Sequence, residues 1–140
     1  MLGIFGRERV FAAALWHIGQ TDDRFIYAAF AMYRNCDGKG GGFGETGLAA
    51  RSSDVERTSV YASLNSQRRV VLVAINKSEG AIPVQIRLGN CPKITRAAVF
   101  RLTQAAPRPV RGDDLSVVRS ARLDCELPAQ SVSTLVLATE

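Results

Sequence analysis

Residues Arg69 to Ile75 read Arg-Val-Val-Leu-Val-Ala-Ile, and this run constrains the fold more than any other stretch of the chain. A strand turns successive side chains to opposite faces. With no polar residue between Val70 and Ile75, neither face suits water, so the run predicts a central strand covered on both sides. It is too short to cross a membrane, and no other apolar stretch approaches the length of a membrane span.

A strand of that kind needs neighbours, and the sequence after residue 56 offers them. Short apolar runs recur there every ten to fifteen residues with turn signals between them, so we expect six or seven strands. Ser59 to Leu64 alternates, with Val60, Ala62 and Leu64 on one side. Ile82, Val84, Ile86 and Leu88 alternate with Pro83, Gln85 and Arg87. Pro83 lacks an amide donor, which assigns this strand to an edge or a strand start. Ile94 to Thr103 follows, then a loop held open by Pro107 and Pro109. Leu115 to Val118, Arg122 to Leu127 and Ser131 to Ala138 complete the set, and an antiparallel sandwich closes it. Cys125 falls at an inward position of its run.

Before residue 56 the pattern is helical and punctuated by glycine. Val10 to Trp16 is a compact apolar run that reads as a buried strand, although periodicity alone does not separate it from a helix segment. Thr21, Asp22 and Asp23 offer N-caps for a helix over Arg24 to Arg34. Phe25, Ala29 and Met32 share one face of it, and Ile26, Phe30 and Tyr33 the next, which predicts burial on more than one side. Asn35 to Gly38 ends it, and Gly38 to Gly44 reads as a flexible crossing.

Composition removes several function classes. The net charge of +5 comes mostly from scattered arginines, with Arg68-Arg69 the only adjacent basic pair. Nucleic-acid binders concentrate their charge on one face, so no nucleic-acid partner is expected. The three cysteines, Cys36, Cys91 and Cys125, form no CxxC, and the single His17 does not complete a metal site. Neither a nucleophile elbow nor a phosphate-cradling glycine loop is present, and no cofactor is expected. The N-terminus lacks the charged and apolar regions of a secretory signal. As written, the chain would stay in the cytoplasm unless it is a piece of something longer.

Particular residues then carry a resemblance. Leu2-Gly-Ile-Phe-Gly-Arg-Glu-Arg-Val-Phe-Ala-Ala-Ala-Leu-Trp16 looks like the region around the last barrel strand of family 44 glycoside hydrolases. Tyr27-Ala-Ala-Phe-Ala-Met-Tyr-Arg-Asn35 with Asp37-Gly38 resembles that family's final barrel helix and its exit. Phe43-Gly-Glu-Thr46, Ser53-Asp54 and Thr58-Ser-Val-Tyr-Ala-Ser63 resemble the crossing into its β-domain. Val70-Val-Leu-Val-Ala-Ile-Asn-Lys77 and Leu127-Pro-Ala-Gln-Ser-Val-Ser-Thr-Leu-Val-Leu137 match its sandwich strands.

The resemblance implies a mainly β fold: an antiparallel sandwich of the glycosidase C-terminal type over residues 45–140. Residues 1–44 would be a strand and helix left from a (β/α)₈ barrel plus the glycine-rich crossing. It also implies cleavage of β-1,4-glucans with retention, by an enzyme family that is usually secreted. Retention needs two carboxylic acids about 5 Å apart, one nucleophile and one acid/base. In the family both are glutamates on earlier barrel strands, upstream of the matched segment, so no position here inherits either role. Trp16 falls where a barrel-end tryptophan stacks on a sugar ring, through the attraction of a C–H face for an aromatic face. The bland alternative is a core tryptophan.

Were the chain a small glycan hydrolase by itself, its carboxylates would come from Glu8, from Glu45 beside Asp54 and Glu56, or from Asp113-Asp114. All three groups otherwise read as surface charge. A carbohydrate-binding module is a second alternative, yet after residue 57 only Tyr61 and Phe100 supply aromatic rings, both at core positions. The third is an accessory sandwich that braces a barrel. Its unpartnered apolar faces predict a homo-oligomer, with exchange of N-terminal segments as one route, and β-glucan as the polysaccharide partner.

Overall fold

A computed structural model describes residues 1–15, 23–90, 94–116 and 122–139. The first element is a short helix, α1 (Leu2–Arg7), and the second is α2 (Arg24–Arg34). Nine strands follow: β1 (Thr46–Leu48), β2 (Thr58–Leu64), β3 (Val70–Asn76), β4 (Ile82–Arg87), β5 (Ile94–Thr103), β6 (Ala106–Arg111), β7 (Leu115–Ser116), β8 (Arg122–Leu127) and β9 (Ser131–Thr139). Among the described residues no helix is long and apolar enough to cross a membrane.

The apolar run is the central strand it was expected to be. β3 lies between β2 and β9 in a seven-stranded antiparallel sheet ordered β1-β2-β3-β9-β5-β6, with β7 also on β5. Val71 and Val73 are fully buried on one side, and Val70 and Leu72 are buried on the other. β4 and β8 form a separate two-stranded ribbon from Ile82↔Leu127 to Arg87↔Arg122. Pro83 sits on the outer edge strand of that ribbon, where its missing donor costs no ladder bond.

The two sheets enclose the larger core. Leu72, Val99, Leu135 and Leu137 of the main sheet meet Leu123 and Ile86 of the ribbon. Alternation along β5 and β9 sends their other residues to the opposite face. There Phe100, Leu102, Val132 and Val136 pack against Ala28, Met32 and Cys36 at α2. The sheet is thus covered by ribbon on one side and by helix on the other.

Asn76, at the end of β3, ties these layers together. Its amide nitrogen donates to the carbonyls of Gly80 (2.8 Å), Leu127 (3.1 Å) and Pro128 (2.9 Å). Its oxygen accepts the amide and hydroxyl of Ser78 at 2.9 and 2.7 Å. A single buried side chain therefore holds both the β3–β4 turn and the β8–β9 turn.

Several expectations are corrected. Pro107 and Pro109 do not hold a loop open but lie within β6, which pairs with β5 through Phe100↔Arg111, Arg101↔Val110 and Thr103↔Ala106. An edge strand needs amide donors on one side only, and a register shift between Arg101 and Thr103 absorbs the mismatch. With β6 counted, eight strands follow residue 57 among the described residues, rather than six or seven.

Residues 10–15 of the expected strand Val10–Trp16 form no strand, and all six are exposed. A buried strand requires hydrogen-bonding neighbours, and no described strand pairs with this segment. Helix α2 is where it was expected, yet it is buried on one side only. Ala28, Met32 and Tyr33 are covered, while Phe25, Tyr27 and Phe30 face solvent. Asp23 occupies the N-cap position without a side-chain bond to the first-turn amides. Thr21 and Asp22 lie outside the described residues.

Candidate functional site

The Gly38–Gly44 crossing is tied down rather than free. Asn35 accepts the Gly40 amide at 2.7 Å, and Asp37 accepts those of Lys39 and Gly41, both at 2.8 Å. Cys36 and Gly41 are joined from amide to carbonyl (2.8 Å), and the Cys36 thiol donates to the same oxygen at 3.3 Å. Gly38 and Gly40 have φ of +71° and +83°, a conformation that favours glycine. The loop then returns to the fold through two bonds: Phe43 donates to the Tyr33 carbonyl (2.7 Å) and Gly44 to the buried Ser63 hydroxyl (2.7 Å). A Cβ at Gly42 would lie 2.3 Å from the Tyr33 carbonyl oxygen, so only glycine lets the loop come this close.

Between this loop and the β2–β3 turn lies a hollow of about 340 Å³. Arg34, Lys39 and Arg69 bring positive charge to it, and Asp37 and Glu45 bring negative. Asn65, Ser66 and Gln67 line the turn side. The Asn65 side-chain oxygen accepts the amides of Gln67 (3.1 Å) and Arg69 (2.9 Å), which leaves its NH₂ group as remaining donor capacity. Phe43 also lines it, its ring tilted 53° to Tyr33 at 5.5 Å.

The electrostatics beneath this wall are those of a folded loop. Burial, and then the Asp37 carboxylate, push the Cys36 thiol up to about 11. Burial also raises Asp37 somewhat, but the amides of Lys39 and Gly41 outweigh it and hold its carboxyl below the usual value. Burial drives the Tyr33 hydroxyl well above its ordinary range.

The residues singled out from sequence fall in separate places. Glu8 caps the end of α1 and pairs with Arg7 at 2.8 Å on an exposed surface. Glu45 lines the hollow. Asp114 is held between Arg111 and Arg96, the latter at 3.3 Å. Asp113 is exposed, and Asp54, which does not line the hollow, is paired with Arg57 at 2.5 Å. Among the described residues no hydrogen bond joins any two of these carboxylates, and no group of three metal-ligating side chains occurs. Trp16 and His17 lie outside the described residues.

Of the aromatic pair in the β-half, Phe100 is buried under the Arg111 guanidinium (5.1 Å), and the Tyr61 ring packs against Gly3 of α1. Cys125 is half-buried at its inward position, and Cys36 and Cys125 are both free thiols. The hollow itself was not foreseen as a site. Its signal was charge beside turn residues: Arg34 and Lys39 flanking Asn-Cys-Asp-Gly, and Arg69 closing a turn far away in sequence.

No family model matches the chain. The β-mannanase/endoglucanase A of Caldicellulosiruptor saccharolyticus is 33% identical over 131 residues, spanning 91% of this chain and 10% of that protein. Endoglucanase A of Paenibacillus lautus is 31% identical over 144 residues, spanning 99% of this chain and 20% of that protein. The chain therefore spans a tenth to a fifth of these relatives' lengths. Among solved structures, the Paenibacillus polymyxa xyloglucanase from glycoside hydrolase family 44 superposes with a TM-score of 0.93 at 28% identity. That match covers 99% of this chain and 28% of that one, and the same enzyme has been solved with xyloglucan.

Proposed function

We propose that this chain, which belongs to glycoside hydrolase family 44 as a C-terminal portion of that family's fold, serves a β-1,4-glucan hydrolase by completing and bracing its barrel. In this reading residues 1–44 are barrel-derived and residues 45–140 are the sandwich. The bond-cleaving carboxylates belong to the part of the family fold that this chain does not match.

One observation carries the proposal. Residues 1–44 leave many large apolar side chains open: Phe11 is 103% exposed, Tyr27 67%, and Val10, Leu15, Phe25 and Phe30 are also exposed. So many exposed apolar side chains in so short a segment favour a covering partner. The candidate carboxylates agree with an accessory role. Retaining cleavage needs two acids about 5 Å apart, whereas Glu8 is engaged by Arg7, Asp114 by two arginines, and Glu45 lines the hollow.

On this reading the isolated chain covers its own apolar face by assembling as a dimer or larger oligomer, and β-glucan is the polysaccharide of the whole enzyme. The test is a reducing-sugar assay of the purified chain on carboxymethylcellulose and xyloglucan, with light scattering to give its mass. We expect an oligomer without turnover. Turnover abolished by Glu8→Gln, Glu45→Gln or Asp114→Asn in a variant that stays folded would instead establish a self-standing hydrolase. A stable monomer would remove the argument from the apolar surface.

A further inference from the structure

We propose that the hollow between the glycine-rich loop and the β2–β3 turn is a seat for a carboxylate-bearing sugar, a uronic acid residue of a glycan chain. Two arginines of the hollow carry unmatched charge. Arg57, Arg96 and Arg111 each face an aspartate. Arg34 and Arg69 line the hollow, and among the described residues neither side chain makes an ion pair or a hydrogen bond. A guanidinium presents a planar fork that fits a carboxylate with two parallel hydrogen bonds. Of the two acids present, Asp37 is already committed to the amides of Lys39 and Gly41.

The rest of the wall suits a sugar rather than a bare anion. Asn65, with its free NH₂ group, and Ser66, with its hydroxyl, line the same hollow as the arginines, and such groups bond ring hydroxyls. A hollow of about 340 Å³ is of the size that holds one small molecule. Both walls are already ordered, the loop by its internal bonds and the turn by Asn65, so little entropy is lost on binding. This inference does not depend on whether the chain cleaves glucan, because it concerns retention of a ligand and not turnover.

The experiment is affinity electrophoresis of the full chain in native gels. The gels contain glucuronoxylan or carboxymethylcellulose as carboxylated polymers, and hydroxyethylcellulose or xyloglucan as neutral ones. The test variant is Arg34→Gln/Arg69→Gln. The control, Arg87→Gln/Arg122→Gln, removes the same charge from the facing pair on the β4–β8 ribbon. Circular dichroism verifies that both are folded.

We expect retardation by the carboxylated polymers, weakened about tenfold in the test variant and little changed in the control, as for loss of charge-assisted bonds. Free glucuronate should compete better than inorganic phosphate. Equal loss in the two double variants would reduce the effect to general surface charge and overturn the proposal. So would equal retardation by neutral polymers, no retardation at all, or phosphate competing as well as glucuronate.

Discussion

Thr134 of β9 donates its hydroxyl proton to the carbonyl oxygen of Met32 in α2, 2.8 Å away, and both residues are fully buried. The bond answers a specific need. The last carbonyls of a helix have no intrahelical partner, and the Cys36 amide that would reach Met32 is given to Gly41 instead. Tyr33, the next residue, has its carbonyl satisfied by Phe43. The sheet and the crossing loop together finish the helix that lies on them.

Replacing Thr134 with valine keeps the shape and removes the donor, leaving a buried carbonyl unmet. We expect a loss of about 1–3 kcal/mol, measured by urea denaturation, with Thr134→Ser retaining most of the stability. A valine variant as stable as the parent would show that the bond contributes nothing.

Ser133, the adjacent residue on β9, should behave in the opposite way. Its hydroxyl is buried on the face toward the ribbon and has no hydrogen-bond partner among the described residues. An unpaired buried hydroxyl has already lost its water, so Ser133→Ala should be neutral or slightly stabilising. The same denaturation series reads both variants, and a loss comparable to that of Thr134→Val would point to a partner for the hydroxyl.

Asn76 should be the most sensitive polar position in the sandwich. Truncation to alanine removes the side-chain donor to the Leu127 carbonyl, leaves the Pro128 carbonyl with the Ser131 hydroxyl, and frees the Ser78 turn. We expect a loss of about 3 kcal/mol, because several groups lose a hydrogen-bond partner at once. Hydrogen exchange should show the β3–β4 and β8–β9 turns opening together, and protection unchanged at one of them would separate the two roles.

Acid should loosen the loop that walls the hollow. The Asp37 carboxyl is held low by the amides of Lys39 and Gly41, and that of Asp54 by the Arg57 amide and guanidinium. A carboxyl with a depressed folded-state pKa gives stability that is present above its ordinary value of 3.8 and lost as pH falls through the folded-state value. Thermal melts from neutral pH into that acidic range should fall, and Asp37→Asn should make the fall shallower. A variant with the parent's full pH dependence would assign the effect to other carboxylates.

How much of this was readable in the chain differs from element to element. Val70–Ile75 announced itself because a wholly apolar strand has only one home, between two others. The alternation of Ile82, Val84 and Ile86 likewise fixed the ribbon's inner face, and Leu123 and Leu127 met it as their spacing required. β6 stayed hidden because Pro107 and Pro109 are ordinarily breakers, and nothing local says that their strand needs donors on one side only. The segment from Val10 carried a strand's composition without the partners that make a strand. The hollow escaped because Arg34 and Arg69 are 35 positions apart in sequence, so their place on one hollow has no local signature.

The sequence by itself determined which residues are too apolar to meet water, where α2 begins and ends, and to which family these strands belong. Those properties are local, set by side-chain chemistry and by periods of 2 or 3.6 residues. Only the tertiary structure decided that α2 is covered on a single side, that Pro107 and Pro109 sit in an edge strand, and that Thr134 completes a helix about a hundred residues earlier in the chain. Each of those outcomes depends on which neighbour supplies a hydrogen bond or an apolar face, and neighbours are chosen by packing.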